Sequence, residues 1–389
     1  MWSYLQVLRI SIIRYILVLL LLILALMPWS GACNTDAAVL DETIRIAILK
    51  SAPEVTVAGD GLLVTGDTGR PVVFSLPVTV KPFKDGLTAE GKFFRSLKFS
   101  ASSVLFINNK PYRGLAELSY SEKGVLVINQ LPLEEYLVGL INCEISSAWP
   151  IEAVKAQAVI ARTYALHRKA VRAKALYHME STVIDQVYDG SLIEDSRASR
   201  AVSETAGEVL LYGGAVIQAY YHSACGGKTE AAENVWGASL PYLKGVDCQY
   251  CLASSSASAS TWEQKLPLTE IEERLRAAGN RLSGLTDINL GVLNSRGRLK
   301  QVFLVASKGS FSLSGDQFRK AVGYGAIKST RFTVKISQGE AVFSGTGNGH
   351  GVGLCQWGAK QRSIDGFGYG EILAYYYPGT ELKKFSEIR

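Results

Sequence analysis

The hydrophobic period of this chain changes sharply near Leu131, and that change limits its possible folds more than any other feature. Before it lie short apolar or alternating runs at Thr43 to Ile48, Val72 to Leu76, Val104 to Ile107 and Gly124 to Asn129. Gly59, Asp60 and Gly61 are typical of the punctuation between them, so residues 43–130 are expected to be strand-rich. After it, Leu133, Leu137, Leu140 and Ile141 recur at spacings of three and four, which predicts a helix over 133–145. Pro150 breaks this pattern and suits the start of a second helix, from Ile151 to about Ala175. On that helix Val154, Ala158, Ala161 and Ala165 share one face, where small side chains let another segment approach closely.

Strands are expected again over 209–221, with a turn at Gly213 and Gly214. The Ser/Ala stretch 253–260 reads as an exposed loop and 268–278 as a helix. A strand pair at 288–293 and 299–305 flanks a turn at Ser295 to Gly297. A Gly-rich run from Gly345 to Gly353 precedes a short helix over 356–364. Segregated strands and helices give a mixed α+β class, expected as a strand-rich domain with two lobes and two central helices. The 389 residues are 48% hydrophobic and 20% charged, a composition that folds. The net charge of +6 suits anionic polymers or membrane surfaces. No basic stripe with interleaved aromatics is present, which argues against nucleic acid as a partner.

Arg9 and Arg14 precede an apolar run from Tyr15 to Trp29, and Ser30, Gly31 and Ala32 then lead to Cys33. This pattern predicts export, with residues 1–33 as a cleaved signal peptide, a lipoprotein anchor attached at Cys33, or an uncleaved membrane anchor. Residues 34–389 then work outside the cytoplasm, in the cell envelope, as one catalytic domain with strands over 43–130, the two helices within 131–176, and the remainder over 177–389. An oxidising compartment permits disulfides. Outside the export segment there are five cysteines, Cys143, Cys225, Cys248, Cys251 and Cys355.

Glu144 continues the row Leu133, Leu137, Leu140 and so falls on the apolar face of the first helix. A carboxyl group there is desolvated and its pKa raised, the condition for a general acid at neutral pH. The alternative is a frayed helix end with Glu144 turned to solvent. No second carboxylate sits in an equally telling place, with Asp185, Glu230 and Glu233 as the other candidates.

Four stretches, in order, resemble the stage II sporulation protein D / amidase enhancer family. The first contains Glu134, Tyr136, Glu144, Trp149, Pro150, Lys155, Gln157, Ala161, Arg162, Thr163 and Tyr164. The second runs from His222 to Thr229, the third from Leu313 to Arg319 with Lys328 to Phe332, and the fourth from Gly347 to Ala359 with Tyr375 to Gly379. The family usually has an aliphatic or small residue at the position of Cys143 and a small polar one at that of Cys355, and Met-Pro where Ile145 and Ser146 stand. The resemblance implies a lytic transglycosylase that cleaves peptidoglycan glycan strands, stripped of stem peptides, in a cleft and leaves 1,6-anhydro ends, with Glu144 as acid and then base. It also implies that Lys155 and Arg162 contact glycan oxygens or tune Glu144, and that His350 and Gln356 lie in the cleft. On residues alone, Lys155 and Arg162 could equally form a solvated basic stripe with Arg168 and Lys169, and His350 could sit in a tight turn. The other role known in this family is non-catalytic enhancement of a cell-wall amidase.

His222-x-x-Cys225 ahead of Cys248-x-x-Cys251 has the spacing of a structural zinc site, with a disulfide as the alternative. If the resemblance brings Cys143 and Cys355 into one cleft, their sulfurs are expected close together, either bonded or as two buried thiols.

Overall fold

A computed structural model describes residues 42–121, 124–253 and 260–388. The expected export segment, with Cys33, lies outside these residues, as does 254–259 of the Ser/Ala stretch. Among the described residues no helix is long and apolar enough to cross a membrane.

The strand Thr43–Ala52 pairs antiparallel with Gly124–Pro132, placing Thr43 opposite Pro132, within a seven-stranded sheet. Gly124–Pro132 is buried along almost its whole length, which explains the apolar run Val125 to Ile128, and the buried Asn129 that follows donates to the Arg113 and Leu115 carbonyls. A second sheet of six strands carries Val55, Val57, Val78 and Val80 inward. Val72 to Leu76 departs from expectation. Only Pro71–Val72 is a strand, Val73 is exposed, and the Ser75 N–H donates to Glu90 instead of to a ladder partner.

Eight α-helices are described. They are α1 Leu133–Glu144, α2 Ile151–Val171, α3 Ser196–Glu204, α4 Ala232–Trp236, α5 Leu268–Ala277, α6 Gly315–Val322, α7 Gln356–Ile364 and α8 Tyr369–Tyr376. Helix α1 leaves the sheet directly at Pro132, and its first amide donates to the Glu42 carbonyl. It ends where Ile145 turns extended. Pro150 serves as the cap of α2 rather than its first helical residue, and α2 stops at Val171, short of the expected end.

Helix α2 is buried on two sides. Val154, Ala158, Ala161 and Ala165 face a core shared with the N-terminal sheets and α1. Ala156, Val159 and Ile160 face a second core built with Leu354, Tyr376 and Tyr377. A third core, between Trp262 and Phe343, is formed by two three-stranded sheets with α5 and α6. The mixed α+β class therefore holds, and the described residues from Glu42 onward cluster as one compact unit whose interior has three main apolar cores. The strand pair at Leu285–Leu290 and Gln301–Ala306 is antiparallel, with Leu293 and Leu299 bridged nearer the turn.

One short pairing positions the site. Tyr221–His222 runs parallel to Leu354–Cys355, with Tyr221 opposite Leu354 and His222 opposite Cys355. Ala224 and Asn348 exchange backbone hydrogen bonds just beyond it.

Candidate active site and cysteine cluster

Glu144 is the last residue of α1, at the end of the apolar row that seats the helix. Its side chain is not turned to solvent. Oε1 accepts from the Val187 N–H at 3.2 Å, and the Tyr221 hydroxyl and Gln356 amide also hydrogen-bond the carboxyl group. Burial pushes the carboxyl pKa from 4.5 up to about 7, against the opposing pull of Tyr221, Val187 and Gln356.

These donors are themselves oriented. The Tyr136 hydroxyl donates to Gln186 Oε1 at 3.0 Å, and Gln186 Nε2 donates to the Tyr221 hydroxyl at 3.2 Å. The phenolic proton of Tyr221 is thereby aimed at Glu144. Gln356 also donates to Gln157 Oε1 at 3.3 Å, which fixes it against α2. Val187 also lines a hollow of about 360 Å³ with Tyr112, Lys110, Asn108 and Asp189, a lining that does not include Glu144 itself. Sequence reasoning missed Gln186, Val187 and Tyr221. The only available signal was that Tyr221 directly precedes the His222 motif.

The other candidates lie in varied surroundings. The His350 ring stands 5.0 Å from Trp236, 5.9 Å from Tyr220 and 5.6 Å from His222, measured between centroids. Its Nδ1 accepts from the Val352 N–H, and it also hydrogen-bonds the Tyr221 backbone. Burial, with Arg319 and Arg298 nearby, pushes its pKa down to about 3, so the ring is neutral.

Lys155 and Arg162, expected to contact glycan oxygens or tune Glu144, are both held in ion pairs within the protein, and of the two only Arg162 is fully enclosed. Arg162 is fully buried, forms a two-pronged pair with Glu134 at 2.7 Å, and donates to the Val202 and Glu208 carbonyls. It braces α1, α2 and the chain around α3, and its guanidinium has no free edge for a sugar. Lys155 pairs with Glu204 at 2.6 Å and Glu152 at 3.1 Å. Nor do Arg168 and Lys169 form a solvated stripe, since they pair with Asp185 and Glu42. Of the other carboxylates, Asp185 is enclosed by Arg168, Arg172 and Tyr164, Glu230 is held by Asn234 and Asn294, and Glu233 pairs with Lys244.

The cysteines also group differently from expectation. Cys225, Cys248 and Cys251 are joined by Cys355, and the four sulfurs lie within 4.8 Å of one another, all buried. His222 is outside the group. Its Nδ1 lies 3.1 Å from the Val352 carbonyl oxygen and its ring faces His350. The donor set that could hold a metal is thus four sulfurs rather than three and an imidazole. Cys143 and Cys355 are not bonded to each other: both are free thiols, the second of the two alternatives expected, and Cys355 joins the other three sulfurs. Cys143 is half-buried near Asp189 and Lys110, and burial pushes its thiol up to about 11.

A family model described as Stage II sporulation protein matches residues 121–212, a span that contains Glu144, Gln186 and Val187. The chain is 31% identical over 300 residues to an uncharacterized protein of Brachyspira hyodysenteriae, covering 77% of this chain and 79% of that one. It is 29% identical over 278 residues to stage II sporulation protein D of Bacillus subtilis, covering 66% and 76%. It is 32% identical over 292 residues to the amidase enhancer of Bacillus subtilis, covering 64% of this chain but only 40% of that protein.

Proposed function

Because this chain belongs to the stage II sporulation protein D / amidase enhancer family, we propose that it cleaves the glycan strands of peptidoglycan as a lytic transglycosylase. The observation that carries this reading is the Glu144 carboxyl group, raised to about 7 by burial and faced by three hydrogen-bond donors. Near neutral pH such a group is populated both as acid and as carboxylate, as a residue serving both roles requires.

In the proposed reaction, protonated Glu144 donates to the oxygen between N-acetylmuramic acid and N-acetylglucosamine as the C1–O bond breaks. The Glu144 carboxylate then takes the proton of the muramic 6-hydroxyl, whose oxygen closes on C1 to give the 1,6-anhydro end. Tyr221, Val187 and Gln356 stabilise the carboxylate between the two transfers. A hydrolase would need a second carboxylate for water or for a covalent intermediate. Asp185, Glu230 and Glu233 are each committed to other partners, which favours the single-carboxylate route.

The reading includes an envelope location, with membrane attachment through the N-terminus. Its substrate is glycan stripped of stem peptides, and a cell-wall amidase is the partner that would supply it. The similarity to an amidase enhancer supports a second reading, in which the chain binds the wall and stimulates such an amidase without cutting glycan.

Mass spectrometry of peptide-free glycan strands incubated with the purified chain tests both. Anhydro-muramyl ends, absent with Glu144→Gln, are expected. Reducing ends would indicate a hydrolase. No product, with stimulation of an added amidase, would establish the enhancer role instead.

A further inference from the structure

We infer that Cys225, Cys248, Cys251 and Cys355 form a tetrahedral four-thiolate site for a soft divalent cation, zinc being the ion that fits. The inference stands on the geometry of the sulfurs and does not depend on the proposed glycan chemistry.

The four sulfurs come from three separate segments. Cys225 follows the strand Tyr221–His222, Cys248 and Cys251 share one loop, and Cys355 caps the start of α7. All six separations are within 4.8 Å, and Cys225 and Cys251 are 3.4 Å apart. A zinc ion bound at ~2.3 Å to each sulfur defines a tetrahedron with edges of about 3.8 Å, so only small adjustments are needed.

Hydrogen-bond donors already point at the sulfurs, as expected around metal thiolates. Cys355 Sγ receives the Cys225 N–H at 3.3 Å and the Gly358 N–H at 3.4 Å. The Tyr376 hydroxyl lies 3.1 Å from Cys248 Sγ. Gly358 is needed for this packing, since a Cβ there would lie 2.7 Å from Cys248 Sγ and 2.1 Å from the Tyr376 oxygen.

Charge supplies the independent argument. Arg298 is buried at 2% exposure, donates Nη2 to the Cys225 carbonyl at 3.0 Å, and leaves its Nε without a partner. Among the described ion pairs it has none. A buried guanidinium is costly unless negative charge lies close by; the Glu230 carboxylate supplies part of that charge for Arg298, and Arg331 nearby adds a second positive charge to be balanced. Four thiolates around a divalent cation carry a net charge of minus two. Arg331, which donates to the adjacent Gly226 carbonyl at 2.7 Å, adds to the compensation.

The test is metal content and cobalt spectroscopy of the full chain. Purified protein is expected to contain about one zinc per chain. Cobalt exchanged for zinc should give thiolate-to-cobalt charge transfer in the near ultraviolet and strong visible bands of a four-sulfur tetrahedral site. His222→Asn should retain both the metal and that spectrum. Cys355→Ser should weaken binding at least about tenfold. Cys355→His keeps a ligand, so it should retain metal with shifted cobalt bands even if the serine variant folds poorly. A metal-free chain with four titratable thiols would overturn the inference, as would a disulfide among these cysteines in non-reducing peptide maps. Metal lost in His222→Asn but kept in Cys355→Ser would also overturn it, restoring the imidazole as ligand. A metal-bound chain that cuts no glycan would leave this site standing and remove the transglycosylase reading alone.

Discussion

If Glu144 is a desolvated acid, ionising it must cost folding free energy, and Glu144→Gln should remove that cost. The carboxyl pKa is raised in the folded state, so the associated stability is fully present below about pH 4.5 and is lost as pH rises through about 7. A shift from 4.5 to about 7 corresponds to roughly 3 kcal/mol at about 1.4 kcal/mol per unit. Nearby groups do not obscure the reading. The phenols of Tyr136 and Tyr221 are pushed far up by burial and Cys143 to about 11, so all three stay neutral across the window. Urea unfolding of wild type and Glu144→Gln at about pH 5 and about pH 8.5 gives the difference directly, because other titrations cancel. The variant should gain roughly 2–3 kcal/mol on wild type between the two pH values, while losing about 10²–10⁴-fold in glycan cleavage. A stability difference that does not change with pH would refute the desolvated-acid argument, whatever happened to activity.

Tyr221→Phe removes one donor to the carboxylate, so the alkaline limb of cleavage against pH should move up by about one unit; a limb that stays or falls contradicts the network. Arg162→Met leaves Glu134 buried without its partner and should cost ~3–5 kcal/mol in urea unfolding. Lys155→Ala should cost under about 1 kcal/mol, and neither variant should raise KM for glycan in the folded fraction more than a few-fold. Non-reducing peptide mapping should return no bond between Cys143 and Cys355.

What was legible in the sequence was local. The period change at Leu131 placed α1 and α2, and the row Leu133, Leu137, Leu140 put Glu144 on the buried face before any contact was known. The short helix Gln356–Ile364 was bounded from its flanking glycines and helical residues. Failures occurred where a side chain's partner lies far along the chain. Arg162 and Lys155 sit beside small alanines and resemble a ligand-facing stripe. Their charges are cancelled by Glu134 and Glu204, whose distance in sequence hides the pairing. The zinc-like spacing groups three of the four clustered cysteines but takes its fourth member from the nearest histidine, which lies outside the cluster. The actual neighbour, Cys355, is 130 residues from Cys225 in a hydrogen bond that only the tertiary fold creates.

The parallel pair Tyr221–His222 and Leu354–Cys355 links these outcomes. Successive strand residues point to opposite sides. Tyr221 sends its hydroxyl to Glu144, whereas His222 turns toward His350. On the partner segment Cys355 joins the sulfur cluster, and the next residue, Gln356, enters α7 and reaches Glu144. The acid and the sulfurs are therefore served by consecutive residues of one segment. A one-residue slip there would exchange Cys355 and Gln356, removing a donor from the acid and a sulfur from the cluster together. Gly353 holds the register immediately upstream. Its φ is 73°, and a Cβ there would lie 1.9 Å from the Tyr220 carbonyl oxygen, so the chain can pass this close to the Tyr221 strand only as glycine. The Gly-rich run is thus a backbone requirement of the pairing that places Gln356 on Glu144 and Cys355 among the other sulfurs.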